Sequence, residues 1–111
     1  MPVQNWSFCE SVFDVVRKVP YGRVCTYGNI AKYLGAVRSA RLVGWAMNQS
    51  HNDPSIPAHR IVNRQGLLTG KIHFTPPERM QMLLEKEGIQ VTNDQIIDFE
   101  RKNWNPNHEL I

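Results

Sequence analysis

A segment of this 111-residue chain, running from Arg38 to about Asn48, carries side chains suited to binding a polyanion. Arg38, Arg41 and Trp45 recur three and four residues apart, a spacing that places them on one face of a helix. An arginine on such a face can contact phosphate oxygens or stack on bases, because its guanidinium is planar and always charged. The spacing indicates nucleic-acid contacts, but it is equally typical of a solvated helix face.

Two helices joined by a short turn are predicted to position these side chains. The first begins after Thr26, a good N-cap residue, and stops at Gly35. The second begins near Ser39 and follows the tight connection at residues 36–38. The residues expected to be buried are Ile30, Ala31 and Leu34 in the first helix, and Leu42, Val43, Ala46 and Met47 in the second. The pattern is that of a helix-turn-helix, and a packed helical hairpin is the alternative.

Further elements are predicted on both sides of this pair. A helix over residues 7–18 has an apolar face, and a fourth helix is expected from Thr75-Pro76 to Gly88. A small hairpin or wing is expected around the turn at residues 63–66. Four apolar residues should pack the tail back on the core: Ile96, Ile97, Phe99 and Trp104. Residues 105–111 are expected to fray. The predicted fold is mainly α with a small β hairpin or wing, a winged-helix-like domain over residues 1–111 with a core at about 7–104.

Composition limits the classes of function. The length excludes a full dinucleotide-binding domain or a β/α barrel. Thirteen basic and ten acidic residues give a net charge of +3, which permits a nucleic-acid partner without requiring one. Neither a membrane span nor a signal peptide is apparent, so we expect a cytoplasmic protein that associates with the nucleoid when bound to DNA. Two cysteines make neither a disulfide scaffold nor a metal quartet, and we expect no metal and no cofactor.

Four motifs in fixed order then suggest a family. They are Val19-Pro20-Tyr21-Gly22-Arg23-Val24, Thr26-Tyr27, Ser39-Ala40-Arg41-Leu42-Val43-Gly44 and Ile56-Pro57-Ala58-His59-Arg60-Ile61-Val62. Together they resemble the DNA-binding domain of the O6-alkylguanine-DNA alkyltransferases, over roughly Phe8 to Gly88. The resemblance implies the fold of the alkyltransferase C-terminal domain and DNA binding through the minor groove.

One position departs from that family in a way that changes the chemistry. The alkyltransferases carry Pro-Cys-His-Arg and transfer the alkyl group to the cysteine, whereas this chain has Ala58. A methyl side chain cannot act as a nucleophile, and transfer requires an activated thiolate. The chain is therefore similar to the alkyltransferase-like proteins, which keep the damage-binding pocket without the acceptor cysteine. We expect no enzymatic activity.

The resemblance assigns roles on the second helix of the pair and beside it. Arg41 matches the arginine that enters the base stack when a nucleotide is extruded. Tyr27 would crowd the 3′ phosphate of the target, or else cover the helix start with its hydroxyl in water. Ala40 and Gly44 would allow close approach to the minor groove, or else serve tight helix packing. Ser39 would donate to a phosphate, or else only cap the helix.

The resemblance also implies a lesion pocket. Tyr27, Pro57, Ala58, His59 and Lys71 would line it, with Lys71 over the flipped base unless it is a solvated loop lysine. His59 is expected to be held by Glu87, and Arg60 to brace loops. The asparagine hinge of the active enzymes falls here at Ser50 and His51.

The predicted function is the non-enzymatic recognition of O6-alkylguanine in double-stranded DNA, with nucleotide flipping. The resemblance implies handover to nucleotide-excision-repair proteins such as UvrA, and we expect a monomer. Two alternatives are a winged-helix regulator without lesion preference and an alkyltransferase that uses another thiol, Cys9 or Cys25.

Overall fold

The computed structural model describes residues 3–35 and 39–110, so the predicted connection at 36–38, with Arg38, lies outside the described residues. The six α-helices of this part are α1 (Val3–Arg17), α2 (Tyr27–Tyr33), α3 (Ala40–Asn48), α4 (Arg79–Lys86), α5 (Phe99–Lys102) and α6 (Pro106–Glu109). Its strands are β1 (Cys25–Thr26), β2 (Ile61–Val62), β3 (Val91–Thr92) and β4 (Gln95–Ile96). Short 3-10 helices cover Ser50–Asn52, Ala58–Arg60 and Thr69–His73. No helix within these ranges has the length and apolar character needed to cross a membrane.

A parallel pair of strands divides the interior into two cores. In this pair Cys25 lies opposite Ile61, and Thr26 lies opposite Val62. Successive residues of a strand point to opposite faces. Cys25 and Ile61 therefore join the core of the N-terminal helices, whereas Val24 and Val62 join the core beneath α4. The turn at Ala58–Arg60 leads directly into β2, and Ala58 packs against the core of the N-terminal helices.

The core of the N-terminal helices, which we call the first core, fixes the orientation of α3. Val43 and Ala46 are fully buried where α3 packs against α1 and α2. The opposite face, with Arg41, is exposed. The prediction for Leu42 was wrong, because this side chain is 47% exposed. It lies one residue before Val43, about 100° around the helix and so at the edge of the buried face.

The predicted helix boundaries around this pair are largely confirmed. The Thr26 side-chain oxygen accepts a hydrogen bond from the Asn29 N–H at 3.0 Å, which caps α2. Gly35 and Gly88 have φ values of +75° and +82° at the ends of α2 and α4, a conformation that glycine adopts readily. Ser39 occupies the N-cap position of α3 but makes no side-chain capping hydrogen bond.

The start of the fourth helix was predicted too early. The helix begins at Arg79, not at Thr75-Pro76, and the peptide bond between those two residues is cis. A residue that precedes a proline is disfavoured in the helical region, so Pro77 restricts Pro76. Met80 and Leu84 of this helix are fully buried.

The hairpin lies in a different place from the prediction. The turn at residues 63–66 exists, with the Gly66 N–H donating to the Asn63 carbonyl at 2.9 Å. The strand before it, however, pairs with β1, and the antiparallel hairpin is β3–β4. Asn93 and Asp94 connect those strands with φ values of +51° and +62°, as expected of a two-residue hairpin turn. The predicted class, mainly helical with small sheets, is confirmed.

Residues 105–110 are docked on the rest of the chain, which corrects the expectation that this segment frays. Pro106 is fully buried, and Asn105 caps α6 by accepting from the Asn107 N–H. The Asn107 amide also donates to the Asn29 carbonyl at 3.1 Å, so α6 is tied to α2. Trp104 packs in the first core as predicted, but Ile97 is 42% exposed.

Candidate nucleic-acid interface

The exposed face of α3 opens on a cavity of about 660 Å³, which we call the α3 cavity. Tyr27, Ala40, Arg41 and Gly44 line it together, so four of the five predicted DNA-contacting residues meet there. Ser39, the fifth, is not among the lining residues. The remaining lining residues are Gly28, Trp45, Asn48, Asn63, Arg64, Thr69, Gly70 and His73.

Packing within the described residues does not require a glycine at position 44. A Cβ atom added to Gly44 would have no described neighbour within 4 Å. The alternative explanation, tight helix packing, therefore fails for this residue among the described contacts. The open space is consistent with a surface that another molecule approaches closely.

Gly44→Ala separates folding from binding. We expect equal or higher stability, by up to about 1 kcal/mol, because alanine is the better helix former. We expect weaker binding to duplex DNA, because the added methyl projects from the surface offered to the groove. Thermal unfolding and fluorescence anisotropy measure the two effects. Unchanged DNA affinity would show that position 44 does not approach the groove.

Tyr27 packs against the loop that follows β2. Burial raises the pKa of its hydroxyl, and a hydrogen bond with Thr69 partly opposes that effect. A Cβ atom on Gly70 would lie 3.0 Å from the hydroxyl oxygen, so the contact is close. The hydroxyl is thus held by the loop and is not simply in water, and at neutral pH it keeps its proton as a donor.

A second cavity, of about 760 Å³, lies beside the turn at Ala58–Arg60, and we call it the Ala58 cavity. Pro57, Ala58 and His59 line it as predicted. Its other lining residues are Arg17, Ser50, His51, Asp53, Pro54, Ser55, Ile56, Arg60, His73, Phe74, Thr75, Arg79 and Leu83. The predicted pocket is therefore divided, because Tyr27 lines the α3 cavity. His73 lines both cavities.

Lys71 lines neither cavity and makes an ion pair with Asp94, in the turn between β3 and β4. The lysine side chain is 40% exposed. The pair joins residues that are far apart in sequence, so no local pattern indicates it. A contact between Lys71 and a flipped base remains a prediction.

A hydrogen-bonded ionic cluster, centred on Glu87, stabilises the turn at Ala58–Arg60. The Glu87 carboxylate, with a side chain only 6% exposed, accepts from His59 Nε2 at 2.6 Å and from the Arg60 guanidinium at 2.9 Å. It also accepts from the Gly22 N–H at 2.7 Å. The Arg60 guanidinium donates to the Val19 carbonyl as well, at 2.9 Å. These contacts confirm that Glu87 holds His59 and that Arg60 braces loops.

The cluster contains an ionised carboxylate and a neutral imidazole at neutral pH. Burial raises the pKa of Glu87, but the hydrogen bonds from Arg60, His59 and Gly22 outweigh it, and the net pKa is lowered. Burial lowers the pKa of His59 more than the carboxylate raises it. The proton of the neutral ring therefore lies on Nε2, which donates to Glu87.

Acid should destabilise the fold in two stages. Between about pH 6.5 and the lowered pKa of His59, the unfolded chain binds a proton that the native chain does not, so stability falls with pH. Below about pH 4.5, protonation of Glu87 in the unfolded chain and then in the native one removes a second contribution. Thermal unfolding across this range measures both stages.

His59→Gln should reduce the loss of stability in the upper stage, between about pH 6.5 and the lowered pKa of His59. Part of that stage should remain, because burial and the neighbouring His73 also lower the pKa of His51. A matched control is His108→Gln, which changes an exposed histidine on α6 and should keep the original profile. Identical profiles for the two variants would contradict the role of His59.

Sequence reasoning singled out His51 as a hinge position but missed the residues around it. Its ring lies edge-on to the missed Phe74, with centroids 4.8 Å apart, and its centroid is 5.8 Å from that of the missed His73. Arg64 and Arg79 also line the cavities. They come from loops, a 3-10 helix and a helix start, where no hydrophobic period marks the inward residues.

Both cysteines are free and fully buried. Burial raises the pKa of the Cys9 thiol, and it raises that of Cys25 to about 12. Neither thiol lines either cavity. Within the described ranges, no group of three or more histidine, cysteine or carboxylate side chains is arranged to hold a metal ion.

Comparison with known proteins identifies the family. Residues 7–89 match the model of the 6-O-methylguanine DNA methyltransferase DNA-binding domain. The chain is 38% identical to Alkyltransferase-like protein 1 of Schizosaccharomyces pombe, over 76% of this chain and 78% of that protein. It is 37% identical to the DNA base-flipping protein of Escherichia coli, over 89% of this chain and 75% of that one.

A solved structure agrees with the sequence comparison. S. pombe Atl1, crystallised with damaged DNA containing O6-carboxymethylguanine, superposes with a TM-score of 0.78 at 34% identity. The match covers 96% of this chain and all of that one. The chain therefore belongs to the alkyltransferase-like proteins, within the family of the 6-O-methylguanine DNA methyltransferase DNA-binding domain.

Proposed function

We propose that this chain recognises O6-alkylguanine in double-stranded DNA by extruding the damaged nucleotide, and that it does not transfer the alkyl group. One observation carries the proposal. Arg41, Tyr27 and the open position at Gly44 share a single exposed cavity, which meets the Ala58 cavity at His73. The names of its relatives, a base-flipping protein and a protein bound to damaged DNA, support the same function.

The extrusion step follows from the placement of α3. This helix lies against the minor groove, and the Arg41 guanidinium fills the gap in the stack that the nucleotide leaves. Extrusion costs a few kcal/mol, and less for a damaged, poorly paired base, which gives the lesion its advantage. The base then passes His73 towards Ala58.

The absence of transfer follows from the chemistry of the thiols. Ala58 stands where the alkyltransferases carry the acceptor cysteine, and it has no nucleophilic atom. Cys25 is fully buried with a pKa of about 12, so almost none of it is thiolate at neutral pH. The buried Cys9 is no better suited. Binding is therefore non-covalent, and the adduct stays on the DNA.

An adduct that stays on DNA needs a second system to remove it. We include in the proposal that the bound complex is passed to nucleotide-excision-repair proteins such as UvrA. We also include that the protein acts as a monomer on DNA in the cytoplasm or nucleoid. Co-sedimentation of UvrA with the complex of protein and lesion DNA tests the first point, and its absence would remove that step.

The deciding experiment compares two duplexes that differ in one base. Fluorescence anisotropy at fixed salt gives the affinity for a duplex with one O6-methylguanine and for its undamaged twin. The protein is then recovered and its intact mass measured. Tighter binding to the lesion with unchanged mass supports the proposal. A mass gain on one cysteine would establish transfer, and equal affinities would favour a regulator without lesion preference.

Salt provides an internal control for the mode of binding. Contacts of arginine and lysine with phosphates release counterions, so affinity for both duplexes should fall steeply as salt rises. A flat response would exclude the proposed phosphate contacts.

A further inference from the structure

The charges on the wall of the Ala58 cavity are unequally neutralised. Three arginines line it, and two are paired. The Arg17 guanidinium lies 3.2 Å from a carboxylate oxygen of Asp14 and 3.3 Å from one of Asp53. Asp53 also lines the cavity. Arg60 is held by Glu87.

Arg79 is the third arginine, and it differs from the other two. Among the residues that the structure describes, no carboxylate lies within ion-pair distance of it. The side chain is exposed, and its neighbour Glu78 does not line the cavity. The wall therefore carries a positive charge that has no ion-pair partner within residues 3–35 and 39–110.

Arg79 is also close to the place where an adduct would lie. It is the first residue of α4, and α4 packs against the turn at Ala58–Arg60. Its charge contributes to the lowered pKa of His59, the residue after Ala58. The methyl group of Ala58 leaves the space open, and the cavity volume falls in the range of sites for small ligands.

We propose that Arg79 makes the Ala58 cavity selective for O6-guanine adducts that carry a negative charge, such as a carboxymethyl group, over neutral adducts of the same size. The inference rests on the proposed function and adds its ligand class. A guanidinium binds a carboxylate through two parallel hydrogen bonds. A carbamoylmethyl adduct has the same shape and no charge, so it cannot form the same charge-assisted pair.

The test uses four duplexes that differ at one guanine: unmodified, O6-methyl, O6-carboxymethyl and O6-carbamoylmethyl. We expect the carboxylate to bind about tenfold more tightly than the amide, as expected for a hydrogen-bonded charge pair of this kind. The methyl and unmodified duplexes test the proposed function separately. Preference for methyl over unmodified guanine with equal binding of carboxylate and amide would overturn this inference alone.

Two variants locate the effect. Arg79→Gln should bring the ratio of carboxylate to amide affinity close to one while the preference for methylguanine persists. Arg101→Gln removes one positive charge from α5, outside both cavities, and should keep the ratio. Unfolding temperatures confirm that both variants fold. An unchanged ratio in Arg79→Gln, or an equal drop in both variants, would overturn the assignment to Arg79.

Discussion

Arg41→Ala should lower the preference for damaged over undamaged DNA by about 1–3 kcal/mol, the range of one stacked base contact. The reason is that the guanidinium of Arg41 is needed only when a nucleotide has left the stack. The side chain is exposed on α3, so its removal should leave the unfolding temperature unchanged. Anisotropy on the O6-methylguanine duplex and its undamaged twin gives the ratio directly.

Arg64→Ala is the matched control for this result. Arg64 is exposed and lines the same cavity, but it lies in the loop after β2, outside α3. Its loss should weaken both duplexes by similar factors, as expected of a phosphate contact. If Arg41→Ala also weakened both duplexes equally, Arg41 would position the protein on the backbone and would not enter the stack.

Glu87→Ala should cost about 3 kcal/mol of stability and lower the unfolding temperature by roughly 10 °C. The substitution removes the acceptor of three part-buried donors, namely His59 Nε2, the Gly22 N–H and the edge of the Arg60 guanidinium that faces Glu87; of its described bonds, Arg60 keeps only that to the Val19 carbonyl. Removing one partner of a buried pair costs more than the pair contributes, because the remaining charge stays desolvated. Thermal and urea unfolding measure the loss.

Glu85→Ala is the control on the same helix. Glu85 is exposed, and its carboxylate accepts a hydrogen bond from the Gln81 side chain. Its loss should change stability by no more than about 0.5 kcal/mol. Comparable losses for the two variants would mean that the cluster around Glu87 contributes no special stability.

Local signals in the sequence were sufficient for the helix pair. The cap at Thr26 and the glycine stop at Gly35 each act within a few residues, and the structure confirms both. Hydrophobic period also found the buried residues of α3, but it wrongly added Leu42, which lies at the edge of the buried face and is exposed. The spacing of apolar residues does not determine how wide the buried face of a helix is, because that width depends on the elements that pack against the helix.

The predictions that failed depended on partners elsewhere in the chain. Ile61 and Val62 have the composition of a hairpin strand, yet they pair in parallel with β1. Residues 105–111 were expected to fray, but Pro106 is buried and Asn107 bonds to α2. Composition gives no information about a partner that is tens of residues away.

The sequence by itself determined the family and the order of the helices, and it carries an alanine at position 58. Each of these is a matter of residue type and spacing. The tertiary structure alone decided that the predicted pocket is divided at His73 and that Lys71 binds Asp94. It alone also placed Arg79 in the wall of the Ala58 cavity, without an ion-pair partner in the part of the chain that the structure describes. The physical reason is that pairing of charges and the shape of a cavity depend on distances between segments remote in sequence, which no local pattern encodes.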